Sequence, residues 1–288
     1  MARKVDTGAW RVFRKDYIPP GGATTKERAL WVDKNINHEN GKEELGRLFG
    51  KTPFDFPKSV ELVKKCVRLG TTNQNGDIVM DFFAGSCTTA QAVLELNRED
   101  GGNRHFIVVE MSEPSGNKKF PTLAEIGKER IRRVIAEMQK AETGKLELKT
   151  SEPQDLGFRV FRLGESNYKQ WTGVDEKDPE AYAKTMKLFV DPLVPGWNAD
   201  NVIWEVAVKE GYGLNARIKK LDVKSNTVFR VTDPDKAQSF YVCLDATLKD
   251  VTLKNLSPKP DDLFVCLDTA LSDATAANLA LQCRLKTI

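Results

Sequence analysis

The segment from residue 77 to 89 constrains the fold most, because an apolar strand pattern runs into a turn of small residues and then into a helix. The predicted strand 77–83 carries Asp81, and the turn reads Ala84-Gly85-Ser86-Cys87-Thr88-Thr89. A strand that feeds such a turn and a helix is typical of a parallel α/β sheet. Small side chains let backbone N–H groups approach a ligand at the positive end of the helix. The pattern therefore predicts a ligand site at the carboxyl edge of the sheet.

The surrounding sequence, from about residue 51 to 140, continues to alternate helix and strand. Apolar residues at helical spacing predict a helix over 57–69, and Pro57 suits its first turn. A helix over 88–96, a strand over 105–109 and a third helix beyond it follow. Basic residues occupy the face of the first helix that lies away from its apolar residues. We interpret the basic residues of the third helix as a solvated face, with a phosphate track as the alternative. These residues are Lys58, Lys64, Lys65 and Arg68, and Lys128, Arg130, Arg132 and Arg133.

Glu110 ends the strand 105–109 and stands 29 residues after Asp81. An acidic side chain in that place can accept hydrogen bonds from both hydroxyls of a ribose. Only Gly85 occupies the turn, so the glycines that admit a dinucleotide pyrophosphate are missing, and the sequence contains no P-loop. The residues therefore favour S-adenosylmethionine, with Asp81 as the charge partner of its amino group. A nicotinamide enzyme stays as an alternative that an NADH titration tests.

Composition limits the partners and the compartment. A length of 288 residues is enough for about two domains. The net charge of +3 is too small to argue for nucleic-acid binding, and no apolar stretch is long enough for a membrane span. Five scattered cysteines without a C-x-x-C pair, and two distant histidines, predict neither disulfides nor a metal site, so we expect a reducing cytoplasm.

The second half has a different pattern. A charged stretch over 141–152 predicts a linker. Beyond it we expect a strand over 158–163, a helix over 202–209 and a strand pair over 226–231 and 239–244. Val242-Cys243-Leu244-Asp245 recurs as Val265-Cys266-Leu267-Asp268, which we interpret as two similar buried strands.

The motifs resemble those of the amino-methylating DNA methyltransferases. Asp81-Phe82-Phe83-Ala84-Gly85-Ser86-Cys87-Thr88-Thr89 resembles motif I, usually D-P-F-x-G-S-G-T-T, and Phe54-Asp55-Phe56-Pro57-Lys58 resembles motif X. Glu110 resembles motif II. Motif X directly before motif I is typical of the permuted β order. The later segments, including Phe158-Arg159-Val160-Phe161 and Leu285-Lys286-Thr287-Ile288, are similar to the tail of the modification (Mod) subunit of type III restriction-modification systems.

The resemblance implies an α/β fold, in which an incomplete Rossmann-like methyltransferase domain precedes a smaller α+β domain. It implies a remnant of a target-recognition region over 1–45, a cofactor-binding subdomain over 46–145 and the α+β domain over 151–288. The expected cofactor is S-adenosylmethionine. Its expected ligands are Phe56, Pro57, Lys58, Asp81, Phe82, Phe83, Ala84, Gly85, Ser86, Cys87, Thr88 and Glu110.

Two departures from the family pattern affect the expected activity. Cys87 stands where glycine is usual, so its Cβ either crowds the methionine end of the cofactor or is absorbed by a small backbone shift. The catalytic [DNS]-P-P-[YFW] loop is missing, because none of the Asp-Pro pairs at 178, 191 and 233 continues as Pro-aromatic. That loop holds the exocyclic amine of a flipped base and stacks on its ring.

From this resemblance we therefore expect part of a site-specific DNA methyltransferase of type III that acts on adenine N6, truncated upstream of motif X and without a catalytic residue of its own. In the complete enzyme the expected partners are double-stranded DNA, a restriction subunit and a second Mod chain. The alternative is a non-catalytic interaction module that docks a restriction or Mod subunit and binds no cofactor.

Overall fold

The structure, a computed structural model, describes residues 2–4, 6–12, 27–74, 76–143, 154–171, 173 and 178–288. The chain divides into two compact units, Met1–Arg159 and Val160–Ile288. The predicted linker over 141–152 lies mostly outside the described residues. The assignment of 1–45, 46–145 and 151–288 to three functional parts stays a prediction.

The first unit alternates helix and strand in the predicted order. An antiparallel pair, β1 (Ala2–Lys4) with β2 (Trp10–Val12), comes first. Then follow α1 (His38–Phe49), α2 (Val60–Gly70), β3 (Ile78–Asp81), α3 (Thr88–Asp100), β4 (His105–Val108) and α4 (Leu123–Thr143). Ser59 starts α2, since its side chain accepts a hydrogen bond from the backbone N–H of Leu62. Pro57 therefore stands three residues before Val60, the first residue of the helix, and does not lie in it.

Strands β3 and β4 are parallel neighbours, with Asp81 opposite Val108, and α3 connects them. One face of this sheet packs on helices. Val79, Phe106 and Val108 contact apolar clusters that α3 and α4 dominate. The buried members of those two helices are Ala90, Val93, Leu94, Leu96, Ile131, Val134 and Met138.

The second unit is built around one mixed sheet of five strands. Its elements are α5 (Pro179–Leu188), α6 (Ala199–Lys209), β5 (Arg217–Leu221), β6 (Val228–Asp233), β7 (Gln238–Cys243), α7 (Asp250–Leu256), β8 (Leu263–Cys266), a 3-10 turn (Asp268–Ala270), α8 (Asp273–Ala280) and β9 (Arg284–Thr287). The strand order is β5-β6-β7-β8-β9. The predicted helix at 202–209 and the predicted strand pair are confirmed, the pair as the antiparallel strands β6 and β7.

The sequence repeat forms two buried neighbouring strands, as predicted. Val242 pairs with Val265 and Cys243 with Cys266, in parallel. The strand predicted over 158–163 is wrong. These residues form no strand, and Val160, Phe161 and Leu163 are exposed. The aromatic and β-branched residues of this segment suit a strand, but no described strand pairs with it.

No helix among the described residues is long and apolar enough to cross a membrane.

Candidate cofactor site

The turn from β3 to α3 is closed by backbone hydrogen bonds that also hold the end of β4. Val109 N donates to Asp81 O at 2.8 Å, and Ala84 N donates to Val109 O at 3.1 Å. Cys87 N donates to Ala84 O at 2.7 Å. The carboxyl ends of the two parallel strands are therefore fixed side by side, which is where α/β sheets bind ligands.

Asp81 is anchored to both ends of the turn. One carboxylate oxygen accepts from the backbone N–H of Phe83 at 3.1 Å, and the other accepts from Thr89 Oγ1 at 2.6 Å. Thr89 lies in the first turn of α3. These contacts fix the orientation of the carboxylate at the lip of β3.

Glu110 lies on the other side of the same turn. Its Oε2 accepts a hydrogen bond from the backbone N–H of Gly85. Gly85 has a φ of +51°, a conformation that glycine adopts without strain. The structure thus brings the predicted residues Asp81, Gly85 and Glu110 together at one sheet edge.

Arg130 of α4 donates hydrogen bonds to the turn from the interior of the first unit. Its interpretation as part of a solvated face is therefore wrong. Its side chain is fully buried. Nη1 donates to Ser86 Oγ at 2.9 Å and to Thr88 Oγ1 at 2.7 Å, and Nε donates to Gln91 Oε1 at 2.6 Å. Nη2 is buried without a hydrogen-bond partner among the described residues. Burial lowers the pKa of Arg130 to about 10, so the guanidinium remains positive at neutral pH beneath the turn.

The spacing of apolar residues in α4 already indicates that Arg130 is buried. Arg130 stands four residues after Ile126 and four before Val134, and both neighbours are buried. Residues four apart share a helix face, so the apolar stripe includes Arg130. Lys64 in α2 repeats the pattern, four residues after buried Val60. It too is buried rather than solvated, in ion pairs with Glu61, Glu95 and Glu99.

Cys87 adopts the left-handed conformation, with φ 57° and ψ 40°, directly before α3. Its side chain is buried against α4, where a Cβ built on Gly127 would overlap the Cys87 sulfur. The absence of a side chain at Gly127 therefore leaves room for the thiol. Burial raises the pKa of the Cys87 thiol to about 12, so the thiolate is not available at neutral pH.

The segment 53–58 meets the turn through Phe54 rather than Phe56. A Cβ built on Gly85 would lie 3.7 Å from Phe54 Cζ. The ring of Phe56 is largely exposed, with Lys42 Nζ 5.5 Å from its centroid. Pro57 is buried. The backbone oxygen of Lys58 accepts a hydrogen bond from Thr88 Oγ1 at 3.5 Å, and the side chain of Lys58 is exposed. Of the three residues predicted here, only Lys58 has a hydrogen bond to the turn, and it is made by the backbone.

The remaining turn residues differ in exposure. Phe82 and Phe83 are exposed, with ring centroids 5.1 Å apart, whereas Ala84 and Ser86 are buried. The described residues contain no group of histidine, cysteine and acidic side chains that could hold a metal ion. The turn therefore offers two carboxylates, backbone N–H groups and a buried cation.

Part of the chain matches a family model, and several relatives are similar to it. Residues 11–116 match the N6_N4_Mtase family model, described as DNA methylase. This chain is similar to the modification subunits of type III restriction-modification enzymes. It is 36% identical over 155 residues to the StyLTI Mod subunit of Salmonella typhimurium, and 36% identical over 118 residues to the EcoPI Mod subunit of Escherichia phage P1. A type II methyltransferase, M.KpnI of Klebsiella pneumoniae, is 36% identical over 89 residues.

These relatives are much longer than the shared region. The aligned residues make up 51% of this chain but 22% of the StyLTI subunit, and 39% of this chain but 18% of the EcoPI subunit. The chain thus spans about a fifth of the length of the curated relatives it matches.

Proposed function

We propose that the first unit is the Rossmann-like, S-adenosylmethionine-binding part of a site-specific DNA methyltransferase of a type III restriction-modification system. The contact between Glu110 and the Gly85 N–H carries the proposal. It holds the Glu110 carboxylate against the turn that also binds the Asp81 carboxylate through Phe83 N and Thr89 Oγ1, so the two carboxylates lie at neighbouring strand ends. A ligand with a ribose at one end and an ammonium group at the other fits this charge pattern.

Each end of the turn has a separate role. Glu110 accepts hydrogen bonds from the ribose hydroxyls, and Asp81 accepts one from the amino group of the methionine moiety. The N-terminus of α3 and the buried Arg130 favour the carboxylate of that moiety. When bound, S-adenosylmethionine supplies a methyl group on a sulfonium, and the resemblance points to adenine N6 as the acceptor.

Base methylation also needs groups that this sequence does not contain. No [DNS]-P-P-[YFW] loop is present. We therefore assign cofactor binding to this chain and the catalytic loop to another polypeptide segment. In the complete cytoplasmic enzyme, double-stranded DNA, a restriction subunit and a second Mod chain are the partners.

Thermal unfolding of the full chain with increasing S-adenosylmethionine tests the proposal. At 100 times its dissociation constant, a ligand stabilises the folded state by about 2.7 kcal/mol. Glu110→Ala should abolish the shift, because it removes the acceptor for the ribose. Glu113→Ala is the matched control, since Glu113 is an exposed acid in the same loop. Cys87→Gly should preserve or enlarge the shift.

Two results would contradict the proposal. Absence of any shift at millimolar S-adenosylmethionine would favour the non-catalytic interaction module. A shift that survives Glu110→Ala but not Glu113→Ala would mean that the ligand binds elsewhere. NADH should produce no shift.

A further inference from the structure

The five-stranded sheet of the second unit has one face that helices cover only in part. Residues two apart in a strand share a face, and so do residues opposite each other in an antiparallel pair. Val228 and Cys243 lie on the face that α7 and α8 cover. Two residues further along β6, Arg230 shares that face but is exposed. Among the described residues, the helical cover therefore ends before Arg230.

The uncovered part of this face carries three cationic side chains. The register places Lys219 of β5 opposite Arg230 of β6, and Arg217 lies on the same face two residues before Lys219. All three side chains are exposed. We define Arg217, Lys219 and Arg230 as the basic patch. The whole chain has a net charge of only +3, so the fold creates a local excess of positive charge that composition does not predict.

The basic patch has no acidic neighbour on its face of the three antiparallel strands. The other residues of β5, β6 and β7 on this face are Leu221, Val228, Thr232, Ser239, Tyr241 and Cys243. Between described residues of the second unit, the ion pairs are Lys209 with Glu205 and Lys286 with Glu210. Neither pair involves the basic patch, so its charge is not neutralised by the part of the chain that the structure describes.

The basic patch also costs the fold some stability. Side chains directly opposite in an antiparallel pair have Cβ atoms about 5 Å apart, and like charges in these positions are destabilising. Lys219 and Arg230 stand in this relation. An anion that binds between them replaces this repulsion with attraction. The arrangement therefore favours an anionic ligand.

The groups around Arg230 suit a phosphate. Its Nε and Nη2 donate to Ser239 Oγ at 3.4 and 3.1 Å, and its guanidinium lies 5.8 Å from the ring centroid of Tyr241. These contacts orient the guanidinium, which has further N–H groups that match phosphate oxygens. Thr232 and Ser239 add hydroxyl groups, which commonly contact the sugar-phosphate backbone of nucleic acids.

We infer that the basic patch binds the phosphate backbone of double-stranded DNA without reading its sequence. The choice of DNA rests on the proposed function, whereas the choice of phosphate rests on the basic patch itself. Arg217 and Lys219 are two residues apart on β5, which separates them by about 7 Å along the strand. A row of cations is suited to a chain of phosphates, and such contacts position a protein on DNA but carry no sequence information. The second unit thus supplies a backbone contact of its own.

Fluorescence anisotropy of the full chain with a labelled DNA duplex of arbitrary sequence tests this inference. Each lost phosphate contact lowers the magnitude of the slope of log K against log salt by about 1. We expect this change for Lys219→Gln, so its effect on affinity should be about fourfold larger at ~50 mM than at ~200 mM salt. Lys219→Arg keeps the charge and should keep the slope. Lys220→Gln is the matched control, because Lys220 is exposed on the same strand but opposite Phe229, on the other face.

Thermal unfolding separates a lost contact from a damaged fold. Lys219→Gln removes a like-charge pair, so the unfolding temperature of the second unit should stay the same or rise. Weaker DNA binding together with a lower unfolding temperature would contradict the inference, because the loss would then follow from the fold.

Other results would overturn the inference directly. These are no duplex binding at about 50 mM salt, equal effects of Lys219→Gln and Lys220→Gln, or a Lys219-dependent preference for single-stranded RNA over the duplex. S-adenosylmethionine binding distinguishes the two proposals. If the cofactor shifts unfolding but duplex binding does not depend on Lys219, the role of the basic patch fails and the proposed function stands. If duplex binding depends on Lys219 but the cofactor causes no shift, the proposed function fails and the role of the basic patch stands.

Discussion

The two main sheets of this chain differ in how completely they are covered. In the second unit, β7 and β8 have clusters on both faces, with Val242 and Val265 in one cluster and Phe264 and Cys266 in the other. All four side chains are fully buried. In the first unit, the described residues cover β3 on one face only, and alternate residues of the strand are exposed. The five-stranded sheet is therefore stabilised by its own core, whereas the two-stranded sheet leaves apolar surface in water.

The two units also differ in how many hydrogen-bonded polar groups they bury. The turn between β3 and α3 depends on a buried guanidinium and on carboxylates held by hydrogen bonds. The core of the second unit is largely apolar. Buried hydrogen bonds fix the positions of polar groups, but burying those groups costs desolvation free energy. Apolar contacts stabilise the fold without that cost. We expect the first unit to gain stability from S-adenosylmethionine, and the second to be independent of it.

The largest expected effect comes from emptying the core of the second unit. Phe264→Ala should lower the free energy of unfolding of that unit by about 3–5 kcal/mol, because a fully buried ring is removed. Calorimetry should show this in a transition that S-adenosylmethionine does not shift. Leu163→Ala, at an exposed position, is the control. A loss of cofactor affinity in Phe264→Ala would show that the units are not independent.

Removal of the buried cation should come next in size. Arg130→Met leaves Ser86, Thr88 and Gln91 without their donor, so we expect the first unit to lose about 2–4 kcal/mol. Cofactor affinity should fall as well, because the turn is no longer held. Arg132→Met changes an exposed arginine of the same helix and should have little effect. Equal effects of the two variants on unfolding and binding would refute this role of Arg130.

The contact between Cys87 and Gly127 predicts a coupled pair. Gly127→Ala should cost about 1–3 kcal/mol in the natural sequence, because the new Cβ overlaps the thiol. In the Cys87→Gly background the cost should vanish or change sign, since alanine is favoured over glycine in a helix by about 1 kcal/mol. Denaturant unfolding of the four variants measures the coupling. Additive effects would mean that the two positions do not compete for space.

The smallest expected effect is a pH dependence in the second unit. Burial acts to raise the pKa of Glu205, but hydrogen bonds from Ser166, Asn167 and Lys209 outweigh it and lower the pKa to about 2. The stability that the carboxylate contributes is complete above its ordinary pKa of 4.5 and is lost as the pH falls toward 2. We expect a loss of roughly 1–2 kcal/mol across this range after allowance for partial exposure.

Unfolding of Glu205→Gln supplies the comparison for that titration. The variant should be less stable at pH 7 and flatter between pH 4.5 and 2, because its side chain does not titrate. If the stability of the second unit in Glu205→Gln falls with pH as steeply as it does without the substitution, other acidic residues cause the loss of stability.

Local pattern predicted the elements better than it predicted the burial of charge. The strand, turn and helix around Asp81 were confirmed with shifts of a few residues, since apolar spacing and small residues act locally. The burial of Arg130 and Lys64 was missed, because Arg130 was interpreted as part of a solvated face and Lys64 was placed on the face away from the apolar residues of its helix. The strand over 158–163 was predicted from the residue types of that segment alone, which supply no neighbouring strand.

The sequence by itself determined the βα order, the turn of small residues and the acidic residues at two strand ends. These follow from periodicity and side-chain size, which are properties of short segments. Only the tertiary structure decided that Arg130 supports the turn, that Gly127 makes room for Cys87 and that Ile78 and Met80 of β3 are exposed. Each of these depends on which distant segment packs against a residue, because hydrogen bonding and burial are contacts between elements that no local pattern records.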